Sequence, residues 1–165
     1  MIDRYFRAPL LYDYIIGFLA CAISCYLYLH GLLKLPKEEY DLSTSSDLST
    51  IALTLAGFIL TLLTILITFK AGSKVNRAAP NDDHNVFDLF FATGLYFETT
   101  KHLKNCIKSL IFVAVLGFAL KLFLNIADLK FLFFSNVFGL IVLVLTLWRS
   151  ILILTKIINL QKEAD

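Results

Sequence analysis

The sequence is poor in what a secreted or catalytic domain draws on. It has three cysteines. Cys21 and Cys25 fall one turn apart inside one apolar run and Cys106 lies near the start of another, so they read as small apolar side chains, not as a disulfide, redox or metal set. Glycine and proline stand at ordinary levels, which excludes collagen-like and low-complexity chains. No glycine-rich phosphate loop, metal-ligand spacing or nucleophile elbow occurs, and His30, His84 and His102 are scattered. No enzymatic activity, cofactor or metal is therefore expected. No cleavable signal is expected at the N-terminus, because Asp3 breaks the positive region, the apolar run is too long and no small-x-small site closes it. Alternating strands are absent too, which argues against an outer-membrane barrel.

What is present is apolar surface. Hydrophobic residues make up 58% of the 165 positions, more than a soluble domain of this length needs, so the class is an integral membrane protein. The reading is all-α: a polytopic four-helix membrane bundle forming a single domain over residues 1–165. Its spans are expected at about 11–33, 50–69, 107–127 and 131–158. A cytoplasmic amphipathic segment at 84–106 lies between spans 2 and 3. That segment combines Phe87, Phe90, Phe91, Tyr96 and Phe97 with Asp88, Glu98, Lys101, His102 and Lys104. In span 1, Gly17, Ala20, Ser24 and Gly31 form a small-residue face; in span 4, Ser135, Gly139, Thr146 and Ser150 lie near one face.

The second span organises the rest. From Thr50 it runs twenty residues without a charge, about 30 Å of helix. Thr50, Thr54, Gly57, Thr61, Thr64 and Thr68 recur in steps of four and three, a period of about 3.5 that keeps one seam of a helix facing a partner. Two readings follow: an intramolecular packing face, or the lining of a pore made by several copies. The preceding segment, Lys34 to Ser49, reads as a polar loop. Asp47 would cap the helix there and, in a ring of copies, concentrate cations at the pore mouth.

Charges set the expected orientation. Eleven basic residues (Arg4, Arg7, Lys70, Lys74, Arg77, Lys101, Lys104, Lys108, Arg149, Lys156 and Lys162) fall on one side, and four (Lys34, Lys37, Lys121 and Lys130) on the other. Both termini are expected in the cytoplasm. Lys70, Lys74, Arg77, Lys101, Lys104 and Lys108 form a basic set suited to anionic lipid, to a nucleotide or oligonucleotide regulator, or to a cytoplasmic effector protein. Asp13 reads as a wet carboxylate at the first interface or a partner of Arg4 or Arg7. Lys121 and Arg149 read as charges that snorkel to the headgroups.

A short four-span chain with a Thr/Gly-striped second span and a basic, aromatic cytoplasmic segment resembles the small inner-membrane components of bacterial antiphage systems. It is similar in outline to the membrane channel of Hailong-type systems and to the membrane subunit of Kiwa-type systems. The resemblance lies in the architecture of the whole chain and transfers no site residues. It implies the bacterial inner membrane, antiviral defence and a homotetramer. The function expected is a homo-oligomeric channel lined by span 2 and gated through the cytoplasmic segment. The alternative is a non-conducting sensor or scaffold that recruits a DNA-binding effector.

Overall fold

The computed structural model describes residues 8–76, 94–123 and 129–162. Within them the chain forms four helices: α1 (Pro9–Leu29), α2 (Glu38–Asn76), α3 (Gly94–Phe123) and α4 (Leu129–Lys162). All four are long and apolar enough to cross a membrane, so the protein is an all-helical chain with the makeup of a multi-pass membrane protein. The starts of α1 and α3 and the ends of α2 and α4 share one end of the bundle, termed the near end. The opposite end is the far end.

α1 opens with proline in its first turn, where the missing N–H costs no hydrogen bond. It closes in a Schellman turn: Gly31 takes φ +71, Leu32 N–H reaches Leu27 O at 3.0 Å, and Gly31 N–H reaches Tyr28 O at 3.0 Å. A side chain at Gly31 would be strained there, so the first helix stops short of the residue 33 expected from hydropathy.

Two boundaries depart further from expectation. The stretch read as a loop to Ser49 is helical from Glu38, which makes α2 a 39-residue helix, about 58 Å long. Asp47 therefore lies inside a helix and caps nothing. The cause is a second hydrophobic spacing: Leu48, Ala52, Ala56, Ile59 and Leu63 fall on one face with Asp41, Ser45 and Ser49, and all are buried. The polar first turns of α2 are thus held by tertiary packing against α3 and α4. The segment expected as a separate amphipathic helix is likewise continuous with span 3 from Gly94 onward; its residues 84–93, with Arg77, lie outside the described residues.

The core joins that α2 face to Leu103, Cys106, Leu110, Val113 and Ala114 of α3 and Phe138, Val142, Leu143 and Ile153 of α4. Close approach depends on small residues. A methyl at Gly139 would come within 2.8 Å of Leu48 and 3.2 Å of Val113, and one at Gly17 within 2.9 Å of Phe138. At Gly117 a methyl would overlap the Ser49 hydroxyl. Gly139, Thr146 and Ser150 of the expected small face of α4 are all buried. α1 sits differently, leaning mainly on α4, with Tyr14 touching the rings of Phe112 and Phe138.

Candidate functional site: an outward polar face and a buried ion pair

All six stripe positions of α2, from Thr50 to Thr68, are exposed, on the opposite side from the buried spacing. The stripe is therefore not an intramolecular packing face. Because α2 is continuous, the same seam runs back through Asp47 to Ser43, both exposed. The result is an outward polar face of 26 residues from Ser43 to Thr68, about 38 Å along the axis. Ser43 was not singled out from sequence, although it stands seven residues before Thr50 in the same period.

The hydroxyls of this face are spoken for. Thr50 donates to Ser46 O (2.9 Å), Thr54 to Thr50 O (2.9 Å), Thr61 to Gly57 O (3.0 Å), Thr64 to Leu60 O (2.9 Å) and Thr68 to Thr64 O (3.0 Å). A threonine whose hydrogen is used this way offers only oxygen lone pairs outward. The face is thus a row of acceptors, suited to water or cations. The same bonds remove the hydroxyl donors as an obstacle to lipid contact. Of the stripe residues, Asp47 is the one lipid cannot accept in charged form.

Register makes that point sharper. α2 and α3 run antiparallel and are pinned at both ends. Near the far end, Ser45 Oγ donates to Gly117 O (3.3 Å) and Lys121 Nζ to Ser46 Oγ (2.6 Å). Near the near end, Lys70 Nζ lies 3.8 Å from the centre of the Tyr96 ring and 4.0 Å from that of Phe97. Each helix has a charged start followed by an uncharged run, Thr50 to Phe69 in α2 and Ser109 to Leu120 in α3, so antiparallel packing lays charge beside apolar run. Asp47 lies level with the uncharged α3 stretch 109–120. Lys101, Lys104 and Lys108, all exposed, lie level with the uncharged α2 stretch 50–69. A bilayer's hydrocarbon core of about 30 Å spans roughly twenty helical residues. No slab of that depth across this bundle avoids both Asp47 and the lysines.

The basic set expected as one cluster is divided. Lys70 is half-buried on aromatic rings, a cation–π contact. Lys101, Lys104 and Lys108 form an outward stripe on α3. Lys74 lies in the last turns of α2, and Arg77 falls outside the described residues. Lys121 is exposed and donates to the Ser46 hydroxyl.

Two charged residues were misread from sequence. Asp13 and Arg149 are both fully buried and form an ion pair, Arg149 Nη1 donating to Asp13 Oδ2. Neither snorkels, and Asp13 is the partner of α4, not a wet carboxylate at the headgroups. Arg149 Nε also donates to Cys106 Sγ at 3.3 Å, so a thiol read as plain packing receives a guanidinium hydrogen bond. Tyr14 Oη and Ser109 Oγ lie 3.4 Å apart beside it. The signal available in sequence was one acid and one base within apolar runs, which in lipid is a reason to expect a pair. Among the described residues no three His, Cys, Asp or Glu side chains are placed to hold a metal ion.

No protein-family model matches the chain, and neither a curated protein nor a solved structure matches it.

Proposed function

We propose that this protein is a homo-oligomeric channel of the bacterial inner membrane, with α2 of each copy, four being the favoured number, facing a central pore. The observation that carries the reading is Asp47: an exposed carboxylate in line with the hydroxyl stripe and level with an apolar stretch of its neighbour. Its side chain is too short to snorkel far, and a charge of that kind at depth costs about 3 kcal/mol in lipid. Water or protein must meet it. Exposed apolar side chains flank the stripe on both sides, among them Ile51, Phe58, Leu60, Ile65 and Ile67. Copies of α2 packed through these flanks would turn the acceptor row inward. Both termini are cytoplasmic in this reading, the protein acts without catalysis, and its role is in antiphage defence. Gating acts through the near end, where Lys70 joins α2 to the start of α3.

The scaffold reading keeps one observation in its favour. With their hydrogens bonded internally, the threonines also serve as a plain packing surface for an effector protein. Reconstitution into liposomes separates the two. Single cysteines at Thr54, Thr61 and Thr68, placed in a background with Cys21, Cys25 and Cys106 changed to Ser, should react with a water-soluble thiol reagent in the activated state. Cysteines at Leu55 and Leu62 should not. Thr54→Leu should abolish ion flux while leaving oligomerisation intact. Reactivity without a 3.5-residue period, and no flux to lose, would leave the scaffold.

A further inference from the structure

We infer that the outward face of α3 binds an anionic phospholipid, with Lys101, Lys104 and Lys108 holding the headgroup phosphate and marking the inner boundary of the bilayer. This stands on the register of the bundle and holds whether or not α2 conducts.

The three lysines follow one another at spacings of three and four on a single helix face, and all are exposed. The same face continues toward the far end as Ile111, Val115 and Leu122, exposed by 44%, 58% and 78%. It has the layout of a lipid molecule: positive charge at one end, then an apolar strip. From Ile111 to Leu122 the strip is about 17 Å long, close to the roughly 15 Å depth of one leaflet's hydrocarbon. Helical side chains tilt toward the helix N-terminus, so the lysine stems lean toward the near end, away from the apolar strip.

Three helices place the boundary at the same level. Arg149 bonds both Cys106 and Asp13, so Lys104 and Lys108, Trp148 and the first turns of α1 share one depth. From that level to the far end, α3 runs about 28 Å to Phe123 and α4 about 28 Å back to Leu129. The 21 residues of α1 measure about 31 Å. Each length fits one hydrocarbon core. A soluble polyanion is the other ligand that lysines attract. It is disfavoured because the lysines open sideways onto an apolar strip, so a ligand that arrives through the bilayer fits better. Each lysine at a membrane surface gives about a fivefold preference for anionic lipid, and salt screens part of the sum.

The test moves the single tryptophan to the strip. The full-length Trp148→Phe, Val115→Trp protein is reconstituted in vesicles containing brominated phosphatidylglycerol or brominated phosphatidylcholine at equal mole fraction. Phosphatidylglycerol should quench the new tryptophan with a preference of about tenfold or more at low salt, falling as salt rises. Lys101→Gln, Lys104→Gln and Lys108→Gln together should reduce that preference to about one. In the unaltered protein, Trp148 should be quenched best by bromines placed near the headgroups. Equal quenching by both lipids would overturn the inference without any lysine variant. So would Trp148 quenched best from the bilayer centre, or displacement of brominated phosphatidylglycerol by a soluble oligonucleotide.

Discussion

Replacing Asp13 with leucine removes one half of the buried pair and leaves the Arg149 guanidinium charged at a site with no solvent exposure. Breaking a buried pair from one side costs about 3–5 kcal/mol, mostly the penalty of the orphaned charge. Against a total stability of about 5–15 kcal/mol, that is roughly a fifth or more. For a chain of this size, about 1 kcal/mol corresponds to roughly 2–4 °C, so Asp13→Leu should lower the unfolding midpoint by about 6–20 °C. The double variant Asp13→Leu, Arg149→Met removes both charges at similar volume and should recover most of the loss, since apolar replacements of buried pairs are often neutral or stabilising. The assay is thermal unfolding of the purified protein in detergent, followed by the fluorescence of Trp148. Ile16→Ala, exposed on the same helix, is the control and should shift the midpoint by only a few degrees. The reasoning fails if Asp13→Leu is no worse than Ile16→Ala, or if the double variant is as unstable as the two single losses added together.

Other expectations follow from the packing and the ends of the bundle. Gly117→Ala drives a methyl onto Ser49 Oγ and should cost about 1–3 kcal/mol in the same unfolding assay, with Ser49→Ala restoring most of it; Gly57→Ala, where nothing lies within 4 Å, should leave the monomer as stable as before. Tyr96→Leu removes the nearer ring beneath Lys70 and should cost about 0.5–1 kcal/mol, visible as faster hydrogen exchange at the end of α2 and the start of α3, with the far end unaffected.

Hydropathy was enough to reveal four helices, because apolar runs of twenty residues have few other uses. It misplaced the ends where tertiary contacts outweigh local composition. Glu38 to Ser49 is polar enough to read as a loop, yet Asp41, Ser45 and Ser49 are buried on the face that meets α3 and α4, and Asn136 Nδ2 donates to Asp41 O at 3.0 Å. The hydroxyl stripe was legible as a period, since helical spacing is a local property. Which way it faces was not, because that depends on the second spacing through Leu48, Ala52 and Ala56 winning the core. Asp13 and Arg149 stand 136 positions apart, and no local pattern joins them. The offset between the charged starts of α2 and α3 emerged only from the contacts that pin their register.

The same separation gives the ion pair a place in time. A ribosome adding about 5–20 residues per second needs roughly 7–27 seconds to travel from Asp13 to Arg149. Throughout that interval the first helix carries an acid with no partner from α4, and a chain that stops before the fourth helix never supplies one. The pair is therefore complete only once the fourth helix has been made, and a product that ends before Arg149 keeps the Asp13 acid without it.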